Sequence, residues 1–291
     1  MEEMAEGVAF AHAHGVRVYV TANILAHNYD LDGVREYFTE LHNMKPDRPD
    51  ALIIADPAVF MIAKEVCPEI ERHVSTQANN TNYGTYQFWW NLGASRVVTA
   101  RELSLAEIKE IREHIPEDME IETFIHGAMC ISYSGRCLLS NYLVGRDANQ
   151  GACTHPCRWK YSIVEETRPG EYMPVYENER GTYIFNSKDL CMIEHIPELV
   201  NAGVDSFKIE GRAKSEYYTA IVTYAYRNAI DEYLKNPSDD FKPSKWILDE
   251  MEKMSHREYT TGFNFGPIKN GQVIDTGGYI RNWDVCALFK D

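Results

Sequence analysis

Over residues 1–215, stretches in which hydrophobic and polar positions alternate with helical periodicity are repeatedly followed by short runs rich in β-branched residues. The helical period is clearest at 31–43 and 105–114. The other predicted helices are 2–14, 58–66, 81–92, 190–201 and 216–234. The predicted strands are 16–23, 51–55, 73–77, 96–100, 121–126 and 206–210, and a regular pattern also returns at 183–186. Helices and strands that alternate in this way predict a parallel sheet.

The predicted strands are evenly spaced, which favours a closed (β/α)8 barrel of the TIM type over an open, doubly wound α/β sheet. Several strands are followed by polar side chains, which are Asp56, Gln77, Arg101, His126 and Arg212. In barrels of this type the active site lies at the carboxyl ends of the strands. Only six strands are predicted before residue 215, and the first element is a helix. The barrel is therefore expected to be incomplete at its N-terminus, or else the sheet is open.

The regular alternation breaks over 127–181, where glycines, cysteines and turn residues are frequent. Beyond residue 241 the patterns at 259–263 and 273–289 resemble short β-strands. We therefore expect a TIM-barrel-like domain over 1–240 that carries a cysteine-rich insert, followed by the start of a small C-terminal β-domain over 241–291.

The composition is typical of a globular protein that does not contact a membrane. Its longest apolar runs fall far short of the roughly 20 residues that span a bilayer, and its acidic N-terminus lacks the apolar core of a secretory signal. We therefore expect a cytoplasmic protein. In that compartment its seven cysteines, an odd number, are more typical of metal ligands or catalytic groups than of disulfides.

Four of the cysteines, Cys130, Cys137, Cys153 and Cys157, lie close together in the insert, and Cys191 follows at a distance. Thiolates bind soft metals, and four of them complete a tetrahedral zinc site or hold an iron–sulfur cluster. The spacing is neither the paired CxxC of a zinc ribbon nor the CxxxCxxC of radical enzymes. It predicts a metal centre without deciding between zinc and iron, and the alternative is that these cysteines are small buried apolar residues.

Charge is unevenly distributed along the chain. The net charge of −15 argues against indiscriminate binding of nucleic acid. Over 127–161, however, the net charge is +3, because Arg136, Arg146, Arg158 and Lys160 face a single acid, Asp147. This local surplus predicts an anionic partner for the insert, with a solvated loop as the alternative.

Two predicted strands carry charged residues on one face, because side chains alternate along a strand. Glu122 and His126 share a face of one strand, and Lys208, Glu210 and Arg212 share a face of the other. If both strands line a barrel, Glu122, Lys208 and Glu210 form an inward ion cluster with His126 as acid, base or ligand orienter. The alternative is a purely structural ion network. At the ends of other strands, Gln77 and Arg101 are candidates to bind a substrate carboxylate or phosphate.

Four segments together resemble the peptidase U32 family, named for collagenase-like proteases, and within it they are most similar to tRNA hydroxylation proteins. The segments are ETFIHGAMCISYSGRC at 122–137, GRDANQGAC at 145–153 followed by CRW at 157–159, NSKDL at 186–190, and KIEGR at 208–212. The resemblance spans nearly the whole chain.

The resemblance implies a 4Fe–4S cluster on four cysteines. Cys130, Cys137 and Cys153 match three of the ligands, and Cys191 or Cys157 supplies the fourth. The implied reaction is formation of 5-hydroxyuridine at the wobble position of tRNA, with prephenate as co-substrate. From the charged faces of the two predicted strands, we expect His126, Glu122, Glu210 and Arg212 to be the catalytic residues. Arg136, Arg146, Arg158 and Lys160 would meet tRNA phosphates, and the groups expected to hold substrate or a small carboxylate are Arg101, Gln77, Lys208 and Arg212.

Two other functions remain open at this point. The family name implies a peptidase, although the sequence contains neither a GxSxG nucleophile motif nor an HExxH zinc motif. The third possibility is a structural module that is stabilised by a bound zinc ion. Family barrels begin with two further βα units, and the family's C-terminal β-domain is longer than the tail here. The resemblance therefore also implies a fragment, an alternative start or a split gene, and leaves open a partner subunit of the same family.

Overall fold

The computed structural model describes residues 1–159 and 187–267, the backbone of 162–164 and 172–174, and residues 280 and 283. The fold is mixed α/β, with a central sheet in which most strand pairs are parallel. The chain divides into two compact units. The first unit comprises Met1–Thr123, Ser132–Thr154 and Gly203–Ser206, and the second comprises Phe124–Ile131, His155–Ala202 and Phe207–Asp291.

The first unit is built on parallel strands in the order β1-β2-β3-β4-β5. Its strands are β1 (Tyr19–Ala22), β2 (Ala51–Ile54), β3 (Glu71–Val74), β4 (Arg96–Val98) and the beginning of β5 (Glu120–Ala128). Its helices are α1 (Glu2–Ala13), α2 (Leu31–Asn43), α3 (Pro57–Val66), α4 (Tyr83–Leu92), α5 (Leu105–Glu113) and α6 (Leu139–Val144). All four side chains of β2 are apolar and buried, as expected for an inner strand covered by helices.

Local capping chemistry fixes where several of these helices start and stop. Asp56 caps α3, because its carboxylate accepts hydrogen bonds from the amides of Ala58 and Val59. Ser104 and Glu107 form a reciprocal capping box at the start of α5. Gly93 ends α4 at a φ of 99°, a conformation that glycine adopts without strain.

The second unit begins with the last residues of β5. These pair antiparallel with β8 (Asp189–Cys191), which in turn pairs parallel with β10 (Tyr259–Thr260). The remaining elements are an antiparallel pair, β6 (Ser162–Val164) and β7 (Tyr172–Pro174), the strand β9 (Ser206–Ile209), and the helices α7 (Ile196–Asn201), α8 (Glu216–Lys235) and α9 (Lys245–Glu252). Helix α8 packs against both α7 and α9, and its buried side chains include Val222, Tyr226 and Ala229.

The closed barrel is not confirmed. Among the strands that the structure describes, β1 pairs only with β2, and no pairing joins β1 to the other end of the sheet. The antiparallel pairing of β5 with β8 also breaks the all-parallel order that a TIM barrel requires.

The predicted helix over 190–201 is wrong in its first half. Residues 189–191 form β8, and α7 begins only at Ile196. Helix α9 lies in the tail, where only β-like patterns were predicted. The predictions at 183–186 and over most of 273–289 lie outside the described residues, so the proposed boundary at residue 240 stays a prediction. In the described part of the chain, no helix combines the length and apolar character that crossing a membrane requires.

Candidate functional site

The cysteine-rich insert lies on the carboxyl ends of two parallel strands in the first unit. After β3, the side-chain amide of Asn79 donates to the carbonyl of Ser134 (3.2 Å), and its oxygen accepts from Nε of Arg136 (2.8 Å). After β1, the amide of Leu25 donates to Oδ1 of Asn149 (2.8 Å), whose Nδ2 returns a bond to the carbonyl of Leu25 (3.1 Å). Two asparagine side chains thus fix the insert to the sheet edge where sites of parallel folds are found.

The same part of the insert brings the segments of Cys137 and Cys153 together. Oγ of Ser140, three residues after Cys137, accepts from the amide of Thr154 (3.0 Å) and lies 3.2 Å from its hydroxyl. Both cysteines are partly exposed, so their thiols can reach a ligand.

The strand-end residues Gln77 and Arg101 lie where the sequence placed them. Gln77 is in the turn after β3, and a Cβ at Gly135 of the insert would come within 2.9 Å of its Nε2. Arg101 is half-buried in the turn after β4. Their predicted role in binding substrate stays a prediction.

The other three candidate ligands belong to the second unit. Cys130 is exposed, and Cys157 is partly exposed in a short 3-10 turn, Pro156–Arg158. Cys191 lies in β8, with its Sγ 3.8 Å from the hydroxyl of Tyr226. Burial raises the pKa of the Cys191 thiol to about 11, so without a metal this cysteine stays protonated at neutral pH.

The donor chemistry fits a thiolate-bound metal, but the described residues do not assemble such a site. No disulfide joins any of the six cysteines that the structure describes. Over these same residues, no three side chains of His, Cys, Asp or Glu are grouped so that they could hold a metal ion. The predicted ligand set therefore remains a prediction from the sequence.

A buried polar cluster surrounds His126 in the second unit. Its ring centroid lies 5.9 Å from that of Tyr218, 5.5 Å from that of Tyr226 and 5.6 Å from that of Tyr259. The hydroxyl of Tyr226 donates to the carbonyl of Ile125 (2.8 Å) and lies 3.5 Å from Nδ1 of His126. His126 therefore packs among aromatic rings at the strand end where the sequence predicted a polar group.

Burial controls the chemistry of this histidine. His126 is fully buried, and this burial lowers the pKa of its imidazole to about 3. The nearby carboxylate of Asp189 raises this pKa, but Lys214 and His256 lower it. The ring is therefore neutral at pH 7, and it suits the role of hydrogen-bond partner better than that of imidazolium acid.

Asp189, a residue that the sequence did not single out, anchors the same cluster. Its Oδ2 accepts from the amide of Arg257 (3.2 Å) and lies 3.5 Å from Nζ of Lys214. Oδ1 of Asp189 and Nε2 of His126 are both buried, and neither finds a hydrogen-bond partner within the described part of the chain. Buried polar atoms in this state are uncommon and often mark functional positions.

The strand β9 and the charged residues that follow it lie close to His126. The amide of Glu210 donates to the carbonyl of His126 (2.9 Å), and Gly127 approaches so closely that a Cβ there would lie 2.6 Å from the carbonyl oxygen of Glu210. The carboxylate of Glu210 accepts from the amide of Arg212 (3.2 Å), whose side chain is exposed. Nζ of Lys208 lies 5.7 Å from the ring centroid of Phe124.

Glu122 has a structural ion-pair partner that the sequence analysis missed. Nη1 of Arg96 lies 2.9 Å from Oε2 of Glu122, and Nη2 of Arg96 lies 2.6 Å from Oε2 of Glu120. Ser206 Oγ also donates to Glu122 (2.9 Å). Burial alone would lower the pKa of Arg96, but the bond to Glu120 and the charge of Glu122 hold it above its ordinary value. Glu122 thus belongs to a structural network, and its catalytic role stays a prediction.

The basic residues of the insert are accessible. Arg136 and Arg146 are exposed in the first unit, and Arg158 is partly exposed in the second. Burial and then the charges of Arg158, Arg257 and Arg212 lower the pKa of the His155 imidazole, whereas Glu210 raises it. Lys160 lies outside the described residues.

A pocket of ≈ 350 Å³ lies in the first unit at the opposite end of the strands, with Arg17, Tyr19, Asp50 and Glu71 in its wall. These residues precede or begin β1, β2 and β3. Because conserved chemistry in parallel α/β folds is found at the carboxyl ends of strands, this pocket is not a candidate for the reaction site.

Sequence reasoning missed Arg96, Asp189, Tyr226 and the two anchoring residues Asn79 and Asn149. Arg96 could have been found, because it is the one charged residue of the predicted strand 96–100. Asp189 and Asn149 stand in the motif segments at 186–190 and 145–153, but their roles, like those of Asn79 and Tyr226, depend on contacts between distant parts of the chain.

Comparison with known proteins gives a consistent result. The model of peptidase family U32 matches residues 1–273. The tRNA hydroxylation protein P of Escherichia coli (strain K12) is 42% identical, over 90% of this chain and 65% of that protein. The tRNA hydroxylation protein P1 of Bacillus subtilis (strain 168) is 40% identical, over 98% of this chain and 68% of that protein. An uncharacterized protease of Methanocaldococcus jannaschii is 42% identical, over 92% of this chain and 63% of that protein. The chain thus spans about two thirds of the length of these relatives.

Proposed function

Because the chain belongs to peptidase family U32, we propose that it takes part in the hydroxylation of uridine in tRNA. The observation that carries this proposal is the similarity to two tRNA hydroxylation proteins, at 40–42% identity over at least 90% of the chain. The finer proposal is that the product is 5-hydroxyuridine at the wobble position.

We further propose that Cys130, Cys137 and Cys153 hold a 4Fe–4S cluster, with Cys157 or Cys191 as the fourth ligand. The support is the chemistry of the donors: Cys130 is exposed, and the other four candidate cysteines are partly exposed. When bound, such a cluster supplies one-electron redox chemistry. Burial raises the pKa of the Cys191 thiol to about 11, which opposes its ionisation, although a metal's own charge lowers that pKa on binding.

The chain's own residues bind and orient the substrates in this proposal. Arg136, Arg146, Arg158 and Lys160 contact tRNA phosphates, because guanidinium and ammonium groups release counterions from the backbone. Arg101 with Gln77, or Arg212 in the second unit, holds the carboxylates of a small co-substrate, for which prephenate is the candidate. His126 stays neutral and positions the groups beside it, and Glu210 lies next to it because its amide donates to the carbonyl of His126. Lys208 is a candidate to bind the co-substrate, and Glu122 is held by Arg96 in a separate ion pair.

The proposed setting of this site is a barrel-like sheet that includes the antiparallel pair of β5 and β8, and a partner subunit of the same family is a further proposal. The support is the run of parallel strands from β1 to β5, whose carboxyl ends carry the insert.

Nucleoside analysis of tRNA tests the proposed function. In a strain that lacks this protein, digestion of tRNA followed by mass spectrometry should show loss of 5-hydroxyuridine and of nucleosides derived from it, with other modifications unchanged. An unchanged profile contradicts the proposal. Iron and sulfide analysis of anaerobically purified protein distinguishes the iron–sulfur cluster from a zinc site. Proteolytic activity that is lost when a single Ser or Cys is substituted would support the peptidase instead.

A further inference from the structure

The short helix α6 in the insert exposes an unusual amount of apolar surface. Tyr142 is 88% exposed and Leu138 71%, while Leu143 and Val144 are 46% and 43% exposed. Tyr133, earlier in the insert, is 45% exposed. Several large apolar side chains exposed within one short segment are costly to leave in water and are typical of a surface that binds a partner.

The helix that carries this surface is held in a defined position. Ser140 is fully buried on its inner side and bonds to Thr154. Gly145 ends the helix at a φ of 68°. The loop that follows is fixed by Asn149 against Leu25. Tyr142 therefore projects from an ordered support, and its side chain has no hydrogen bond or ring contact in the part of the chain that the structure describes.

Charge indicates the kind of partner. Arg136 and Arg146 flank the helix, and both are exposed. Over 132–154 they face only one acid, Asp147, although the whole chain has a net charge of −15. Exposed aromatic rings beside guanidinium groups are the combination with which proteins bind single-stranded RNA, because bases stack on the rings while arginine contacts phosphates. A protein partner explains the apolar residues but gives no reason for a basic patch on an acidic chain.

We propose that Tyr133, Arg136, Leu138, Tyr142 and Arg146, which we call the α6 surface, bind a single-stranded loop of the RNA substrate. Tyr142 stacks on an unpaired base, and the two arginines contact the adjacent phosphates. This inference rests on the proposed function, because that function makes RNA the substrate.

Binding of unmodified tRNA tests the inference. The Kd for fluorescently labelled tRNA is measured at several salt concentrations for the wild-type chain and for Tyr142→Ala, Tyr142→Trp and Tyr224→Ala. Loss of one stacked base should weaken binding roughly 5- to 100-fold in Tyr142→Ala. Tyr142→Trp should bind like the wild type, because it keeps an aromatic face. Tyr224, 52% exposed on α8 in the other unit, is the matched control and should change nothing.

Salt dependence separates stacking from phosphate contacts. Tyr142→Ala should leave the slope of log Kd against log salt unchanged, whereas Arg136→Gln or Arg146→Gln should each reduce it by about 1.

If the wild type binds tRNA and Tyr142→Ala binds equally well, the inference is overturned and the proposed function stands. If Tyr142→Ala instead disrupts self-association with RNA binding intact, the surface serves a protein partner and the inference is also wrong. If the wild type binds no tRNA, the proposed function itself fails.

Discussion

His126 shows how burial decides what a single side chain can do. As a strand-end histidine it is an attractive candidate acid or base, and the sequence gives no reason to think otherwise. In the folded chain it is fully buried among three tyrosine rings, and its pKa falls to about 3. Burial also raises the pKa of Tyr226 and Tyr259, so all three groups stay uncharged at neutral pH. The cluster is therefore better suited to positioning than to proton transfer.

The buried histidine makes stability depend on pH. In the unfolded chain its pKa is about 6.5, so acid favours the unfolded state from pH 6.5 down to about 3, where the folded form also takes up the proton. Relative to His126→Gln, the wild type should lose about 2 kcal/mol of unfolding free energy between pH 7 and pH 5. Urea unfolding at both pH values measures this. If the free energies of unfolding of the two proteins changed equally between pH 7 and pH 5, His126 would not be buried as a neutral ring.

Gly127 and Gly145 both have positive φ, but their surroundings differ. A Cβ at Gly127, with φ 115°, would meet the carbonyl oxygen of Glu210 at 2.6 Å, whereas nothing lies within 4 Å of a Cβ at Gly145, with φ 68°. Gly127→Ala should therefore cost about 3 kcal/mol or more, and Gly145→Ala only about 1 kcal/mol for its backbone conformation. Urea unfolding of the two variants compares them. Equal losses would show that β5 and Glu210 are not in close contact.

At the scale of elements, the predictions succeeded where local signals were strong. The predicted helix at 31–43 coincides with α2, and α5 starts after Ser104 with a complete capping box. They failed at β8, which has only three residues, too few for a periodic pattern to be visible. Its strand conformation depends on pairing with β5, more than 60 residues earlier in the chain. The partner of Glu122 depends in the same way on strand register.

Attachment of the insert to the sheet depends on Asn149. Replacing it with Ala removes the acceptor for the amide of Leu25 and the donor to its carbonyl, at 2.8 and 3.1 Å. Hydrogen exchange should accelerate several-fold at Leu25 and across 132–154, because the insert loses one of its two asparagine anchors. Asn141→Ala is the matched control, since Asn141 is exposed on α6 and should leave exchange unchanged. Unaltered exchange at Leu25 in Asn149→Ala would contradict this attachment.

For the whole molecule, the composition gave information about nucleic-acid binding, and the sequence motifs gave information about the protein family. Net charge alone argued against indiscriminate binding of nucleic acid, yet the insert that holds the cysteines carries a local surplus of positive charge. The four motif segments pointed to the family that the family model also matches over residues 1–273. Closure of the sheet was not predictable, because it depends on how distant strands pair, and the described strands do not form a closed barrel.

The most direct test of the account is complementation of a deletion strain, read out as 5-hydroxyuridine in tRNA. The wild-type protein should restore the nucleoside, and Cys130→Ser, Cys137→Ser and Cys153→Ser should not. Cys67→Ser is the control, because Cys67 is buried and bonded to Ala63 within α3, and it should restore hydroxylation as the wild type does. Full restoration by all three insert variants would contradict the claim that hydroxylation depends on a cysteine-ligated centre.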